Sequence, residues 1–399
     1  MYWVKKVKVN SKRSDYLKIG NIFKYFAFLL LYYMVYPIAK ILYGRAKNWI
    51  ICERGFDAQD NGYFFFKYLK DMHPEINPIF LIKRNSPDFG KVSKLGKVAA
   101  YGSLKHFVLV IGCPVKISTH LFGYAPWIQM SLYFRRHKTH DVHVFLQHGI
   151  IKNEHEGLHG DVCKSLNLFV CGAKPEYEFV KKTFDYEQQI PKYTGLPRFD
   201  NLLNFKTKKQ ILFMPTWRRD LVDLSEDQFV KTDFYKNWDA LLKSKKISQK
   251  CLETNITIKF YLHSSLQKYS SLFTNSNIAE IIHFGDEPVQ TLLKESKLLV
   301  TDYSSVYFDF AYMGKPTVYF QFDEGTFNQV HYSKGYFDYH KNGFGNVCKS
   351  ETQAIDEIIK IIENNFSIDN KFCDRINDYF VYRDTNNCDR VFLAISSIL

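Results

Sequence analysis

From about residue 48 onward, short apolar runs alternate with amphipathic stretches, and no long repeat interrupts the alternation. The runs Trp49–Cys52, Ile79–Lys83, Val98–Tyr101, Val115–Thr119, Val142–Gln147, Leu166–Cys171 and Lys192–Gly195 read as one series of strands. A second series follows at Gln210–Met214, Ile256–Leu262, Ile281–Phe284, Leu298–Asp302 and Thr317–Phe320. Helix-period segments lie between them, among them Gly62–Met72, Lys174–Lys182, Glu287–Ser296 and Ser304–Met313. Strand–helix alternation predicts parallel sheets covered on both faces. Two series predict two doubly wound α/β domains, 48–205 and 206–350, with the break in the polar stretch Asn201–Lys209. Residues 351–399 read as two or three helices packing back across both domains. Neither G-x-G-x-x-G nor a Walker A motif occurs, so nicotinamide and P-loop nucleotide sites lack support.

Residues 1–47 have a different character. Tyr25–Ala39 is uncharged and bracketed by Lys24 and Lys40. As a helix it would cover about 22 Å, short of the ~30 Å hydrocarbon core of a bilayer. Pro37 is expected to kink its last turn, and Ile38-Ala39-Lys40 makes a poor signal-peptide cleavage site. The net charge of +13 is concentrated here, because residues 1–50 hold ten Lys and Arg against Asp15 alone. A basic block beside an apolar one, in a chain with 35 Phe and 27 Tyr, predicts a helix lying on an anionic membrane surface. A buried core helix with a solvated basic tail is the competing reading, and one short span is the third. A general nucleic-acid binder would carry its basic residues on the folded body, so nucleic acid is not expected as a partner. Eight scattered Cys without C-x-x-C spacing suggest reduced thiols and no structural zinc.

Open α/β sheets bind ligands beyond the carboxyl ends of their strands. His120 follows Val115–Thr119, and His148-Gly149 follows Val142–Gln147. Pro215-Thr216-Trp217-Arg218-Arg219 follows Gln210–Met214, and His263-Ser264-Ser265 follows Ile256–Leu262. Tyr303-Ser304-Ser305 follows Leu298–Asp302. Imidazoles, guanidinium groups and hydroxyls at one end of both sheets are the inventory of a cleft for a phosphorylated ligand. Asp302, Ser304 and Ser305 supply helix N-cap chemistry, and free amides at that helix start make a phosphate seat; a plain capped helix is the bland alternative. The helix is expected to carry Val306, Phe310 and Met313 on one face and to end at Gly314. His148, with an ordinary pKa of ~6.5, is suited to deprotonating a hydroxyl, and Gly149 lets a substrate approach the backbone. A lone strand-end histidine is as easily structural, which is the expectation for His143. Arg218 and Arg219 present planar forks for phosphate, and at least one of them is expected to be a solvated surface charge.

The strings Phe145-Leu-Gln-His-Gly-Ile-Ile-Lys152, Thr194-Gly-Leu-Pro-Arg-Phe-Asp200, Ile211-Leu-Phe-Met-Pro-Thr-Trp-Arg218, Tyr261-Leu-His263 and Thr301-Asp-Tyr-Ser-Ser-Val-Tyr-Phe-Asp309 occur in that order. Together they resemble the CDP-glycerol glycerophosphotransferases, the teichoic-acid-type primases and polymerases, over roughly residues 140–340. The resemblance implies a GT-B-like fold, two Rossmann-like domains with the active site in the cleft. It implies a peripheral enzyme on the cytoplasmic face of the cell membrane that passes glycerol phosphate from CDP-glycerol to a lipid-linked acceptor and releases CMP. By that resemblance His148 is the general base and His263 a phosphate-binding or acid partner. Thr216, Arg218, Ser304 and Ser305 would hold the CDP phosphates, Asp302 would order their loop, and His120, Gly149 and Lys152 would serve the acceptor. Gln147-His148-Gly149-Ile150 departs from the commoner Trp-His-Gly-Thr, which leaves the acceptor and the polyol open.

The expected function is therefore transfer of a polyol phosphate from CDP-glycerol or another CDP-polyol to a lipid-linked glycan or polymer. No D-x-D or compact carboxylate cluster fixes Mg²⁺, so no cofactor is required by the sequence, and Mg²⁺ stays open. A nucleotide-sugar glycosyltransferase on the same fold, releasing a nucleoside diphosphate, is the alternative enzyme. A non-catalytic membrane-surface scaffold is the alternative of another class.

Overall fold

The computed structural model describes residues 19–273, 278–331 and 335–399. Seven strands form the first sheet: β1 (Asn48–Cys52), β2 (Asn77–Ile82), β3 (Lys97–Ala100), β4 (Val115–Ser118), β5 (Val142–Phe145), β6 (Leu166–Cys171) and β7 (Pro191–Tyr193). Their order is β3-β2-β1-β4-β5-β6-β7. Six form the second: β8 (Gln210–Phe213), β9 (Thr257–Tyr261), β10 (Ala279–Ile282), β11 (Leu298–Thr301), β12 (Thr317–Phe320) and β13 (Gly345–Cys348). Their order is β10-β9-β8-β11-β12-β13, and every neighbouring pair in both sheets is parallel. β1, β4, β5, β8, β11 and β12 are buried along their whole length, which is why they read as mostly apolar runs, with Lys116 and His143 as buried polar exceptions. The two doubly wound sheets facing a common cleft are the GT-B-like arrangement.

All twelve expected strands are present. β13 has no counterpart among them, because Gly345-Asn346-Val347-Cys348 lacks an apolar run and only completes the edge beside β12. Several strands end one or two residues early, where side chains turn to other tasks; β5 stops at Phe145 because Gln147 adopts a left-handed φ of 61°.

The chain passes from the first sheet to the second between Asn201 and Gln210. The Val306–Tyr312 helix is not amphipathic in place: Tyr307 through Tyr312 are all buried. It is wedged between the domains, with Phe199 stacked on Tyr312 at 4.3 Å and Tyr379 on Phe308 at 5.4 Å. Gly314, at φ 69°, ends it. The final helix, Asn387–Ser396, returns to the first domain. There Asn387 donates from its backbone and side chain to Asp200 at 2.7 Å, and Arg390 to the Thr194 carbonyl at 2.7 Å.

The N-terminal helix spans Ile19–Tyr43, 25 residues, and continues through Pro37. At about 37 Å it is longer than the apolar run implied, because a single flanking lysine at either side does not stop a helix. Ile22–Tyr43 is long and apolar enough to cross a membrane. Yet one face is docked. Phe28, Tyr32 and Ala39 are buried, and the Ala39 turn sits on Gly112, where a Cβ would come within 2.4 Å of the Ala39 carbonyl oxygen. Lys40 pairs with Asp141 at 2.5 Å, and the same carboxylate takes the buried Lys116 ammonium at 2.8 Å. The opposite face exposes Phe23, Phe26, Leu30, Met34, Ile38 and Ile41, a helical stripe of apolar side chains. The basic residues Lys5, Lys6, Lys8, Lys12, Arg13 and Lys18 lie outside the described residues.

Candidate active site

Both sheets reverse their strand order once, the first between β1 and β4, the second between β8 and β11. Such switch points open a crevice at the carboxyl edge. In the first sheet Cys52 pairs with Ser118 and Ser118 with Phe145, so the residues leaving β1, β4 and β5 emerge side by side. The His120 and His148 rings stack there, centroids 4.7 Å apart and planes within 9°. The left-handed turn at Gln147 keeps its own side chain inside, donating to the Val170 carbonyl and, at 3.1 Å, to Glu176. His148 is thereby turned out, and its ring is exposed to the cleft although protein surrounds it. That enclosure lowers its pKa, and Arg198 and Arg54 lower it further, against the opposing pull of Asp60. The lowered pKa keeps the imidazole neutral at pH 7, so one ring nitrogen holds a lone pair, the state a general base needs. His120 is pushed down to about 4 by burial, then by His148 and Arg54, so it too is neutral at pH 7.

The second switch point is built around Asp302. Its fully buried carboxylate accepts from the Thr216 amide at 2.8 Å, the Tyr303 amide at 2.6 Å and Arg218 Nη2 at 2.8 Å. Arg218 is 5% exposed; its Nε also donates to Asp323 at 3.0 Å and its Nη1 to the Thr216 carbonyl at 2.8 Å. The Phe327 ring lies 4.4 Å from its guanidinium carbon. The fork read as a phosphate holder thus ties down its own loop, while Arg219 is the solvated one. Thr216 Oγ1 is buried without a hydrogen-bond partner among the described residues. Ser305 makes no capping bond, and Ser304 Oγ accepts from Val306 N only at 3.5 Å. His263 Nδ1 accepts from the Ser265 amide at 3.2 Å, which places the proton on Nε2, and its ring stacks on Trp217 at 6.0 Å. Burial and then the Arg54 charge lower its pKa.

Three residues stitch the two edges together. Gly149 faces Ser305 so closely that a Cβ would lie 3.4 Å from the serine hydroxyl. Lys152 reaches over the seam to the Tyr303 carbonyl at 2.8 Å and the Tyr339 hydroxyl at 2.5 Å. Burial brings its ammonium down to about 7 against the raising influence of Asp302. Arg198 chelates Asp309 at 2.7 and 2.8 Å and donates to Asp60 at 2.8 Å and to the His148 carbonyl at 2.9 Å. Of the trio assigned to the acceptor, only His120 sits wholly on the first domain's wall; Gly149 lies on the seam and Lys152 against the second domain's loop. Arg54 and the buried Glu53, which accepts from the Gln59, Asp60 and Tyr63 amides, were not singled out in the sequence. The rule that found His120, reading the polar residues after each strand, finds Glu53-Arg54 when applied to Trp49–Cys52. Among the described residues no three His, Cys, Asp or Glu side chains gather to hold an ion.

The solved structure of the wall teichoic acid polymerase TagF superposes with a TM-score of 0.66 at 17% identity over 89% of each chain, a likeness of fold. GgaB of Bacillus subtilis (strain 168), a minor teichoic acid biosynthesis protein, is 32% identical over 367 residues, covering 89% of this chain and 40% of GgaB. A teichoic acid poly(ribitol-phosphate) polymerase of Bacillus spizizenii (strain ATCC 23059 / NRRL B-14472 / W23) is 23% identical over 396 residues, 88% of this chain and 59% of the polymerase. The chain therefore spans less than half of GgaB and less than two thirds of the poly(ribitol-phosphate) polymerase. The family model for CDP-glycerol:poly(glycerophosphate) glycerophosphotransferase matches residues 45–397, both sheets and the C-terminal helices alike, and the chain belongs to that family.

Proposed function

We propose that this chain transfers glycerol phosphate, or a related polyol phosphate, from its CDP-activated form to a hydroxyl of a lipid-linked teichoic-acid-type polymer. The observation that carries the reading is the pair of complementary imidazoles. His148 on one edge keeps a lone pair, and His263 on the other keeps an Nε2–H. The acceptor oxygen attacks the phosphorus that bears the polyol and gives its proton to His148. The bond from that phosphorus to the CMP oxygen breaks, and His263 Nε2–H hydrogen-bonds the departing phosphate. Lys152 and the Ser304 and Ser305 hydroxyls face the diphosphate, while Asp302, Arg218 and Thr216 hold the loop that presents them. Phosphoryl transfer depends mainly on such positioning and electrostatic stabilisation. The reading requires no resident metal ion; a rate abolished by EDTA and restored by Mg²⁺ would overturn that part of it.

The same proposal puts the chain at the cytoplasmic face of the membrane, with the exposed stripe of the N-terminal helix in the interface. The Lys40–Asp141 pair and the Gly112 contact support a helix lying along its domain rather than crossing a bilayer. Partial release by high salt is expected, since the apolar face survives screening. Resistance to both salt and alkaline carbonate would instead mean a span.

Incubation with CDP-glycerol, CDP-ribitol or a nucleotide sugar, each with a lipid-linked primer, tests the activity. CMP release with a CDP-polyol is expected. Failure of every CDP-polyol overturns the proposal, and release of a nucleoside diphosphate from the sugar nucleotide establishes glycosyl transfer in its place.

A further inference from the structure

We propose that the carboxyl edge of the first sheet continues past the histidines as a track for the acceptor's phosphodiester chain. Arg54 takes the phosphate nearest the attacking hydroxyl, and Lys83 and Arg84 take those behind it. The track is laid out by register. Cys52 of β1 pairs with Leu81 of β2 on one side and Ser118 of β4 on the other, so two residues on, Arg54 stands between Lys83 and His120. The Lys83 amide donates to the Gly55 carbonyl at 2.8 Å, which holds the two loops together beyond the last paired residues. From Lys83 past Arg54 and His120 to His148 is three strand spacings, roughly 14 Å.

Arg54, Lys83 and Arg84 share one sign of charge, and Lys83 is half-buried. Arg54 is 60% exposed, and Arg84 is exposed beside it. Lys83 Nζ lies 3.9 Å from the Phe56 ring centre, and Phe56 is itself exposed, a flat apolar surface for polyol carbons. Among the described residues neither Lys83 nor Arg84 has an ion-pair partner. The acids of the same loops are otherwise engaged: Glu53 is buried on three backbone amides, and Asp60 binds Arg198. Among the described residues Arg54 pairs with Asp57 alone, three residues on; its guanidinium is largely exposed and the carboxylate half-buried, and such a local surface pair competes weakly with a better ligand. A phosphodiester offers two oxygens in the geometry of the guanidinium fork and carries one charge per repeat. The lowered pKa values of His120, His148 and His263, each owing part of its shift to Arg54, are consistent with that guanidinium standing beside the reacting centre.

The catalytic meaning of the track rests on the transferase reading above, but its binding does not. The test uses the full chain without donor and a fluorescent oligomer of glycerol phosphate with several phosphodiesters, its Kd read by anisotropy at low and physiological salt. Arg54→Ala is expected to weaken binding about tenfold or more, the scale of a charge-assisted contact, with Arg54→Lys recovering part of the loss. Lys83→Ala combined with Arg84→Ala should weaken it about threefold and flatten its salt dependence. CMP affinity, measured by calorimetry on the same variants, should change less than about twofold, which also reports an intact fold. No oligomer binding by the parent chain, or unchanged affinity in the variants, overturns the track. A loss of CMP affinity in Arg54→Ala with oligomer binding retained would move Arg54 to the donor and overturn it equally. Oligomer binding that depends on Arg54, in a protein that releases no CMP from any CDP-polyol, would uphold the track and sink the transferase reading.

Discussion

At the first sheet's edge the His148 ring is exposed to the cleft, and among the described residues Arg54, 60% exposed, pairs with Asp57 alone. At the second sheet's edge Arg218 commits Nε, Nη1 and Nη2 to Asp323, Thr216 and Asp302 while only 5% exposed. The two histidines differ in the same sense, one set to accept a proton and the other to donate a hydrogen bond. On the proposed reading, the edge that meets a long acceptor keeps its groups accessible. On the same reading, the edge that fixes a small diphosphate has its loop pre-organised by buried ion pairs, so little reorganisation remains when the ligand arrives.

The largest effect is expected at the open edge. His148→Ala should lower kcat by about 10²–10⁴-fold with CMP affinity retained, and His148→Asn should not rescue it, since an amide cannot take the proton. An undiminished rate would remove the base from this edge and with it half of the contrast. Next comes the committed edge. Arg218→Ala leaves Asp302 buried and unpaired, and denaturant unfolding should show a loss of about 3–5 kcal/mol. Arg219→Ala, one residue away and solvated, should stay within about 0.5 kcal/mol. Equal costs for both would mean that the ion pairs do not organise the loop.

A smaller effect concerns Lys152, whose ammonium titrates near 7 in the empty site. A diphosphate favours the charged form, so binding above pH 7 must take up a proton. CDP affinity should then fall as pH rises above 7, by up to about tenfold per unit, and stay level below it as far as Lys152 is concerned. Lys152→Met should flatten that profile, and calorimetry in buffers of different ionisation enthalpy should lose the proton uptake. The smallest shift belongs to the acid limb of kcat/KM. Because burial, Arg198 and Arg54 favour neutral His148, the acid limb should lie below that of a free imidazole. Arg54→Ala should move that limb upward by a fraction of a unit, as one of the lowering charges is gone.

How far these assignments were legible varies with the distance over which the deciding contact acts. β6 and β12 were readable to the residue, because a strand buried on both faces is a continuous apolar run with turn chemistry at its ends. The positions of His120, His148 and His263 at strand ends follow from the same local pattern. β13 was not readable, since an edge strand needs no apolar run. Arg54 is a different case: its strand-end position is visible in the sequence, but nothing local marks what the fold places around it.

By itself, then, the sequence determined two parallel sheets, the edge at which polar residues collect, and the presence of an apolar N-terminal helix beside a basic block. Only the tertiary structure decided which cations are available. Arg218 is neutralised by Asp302, 84 residues away, and Asp323, 105 away, and Lys152 crosses 151 residues to the Tyr303 carbonyl. The N-terminal helix likewise acquired a buried face only because Gly112 and Asp141 were brought beneath it. Strand and turn formation depend on contacts within a few residues, which a linear pattern encodes. Whether a charge is paired, buried or left facing a cleft depends on what the fold places beside it, and identical arginines in one sequence can end in opposite states.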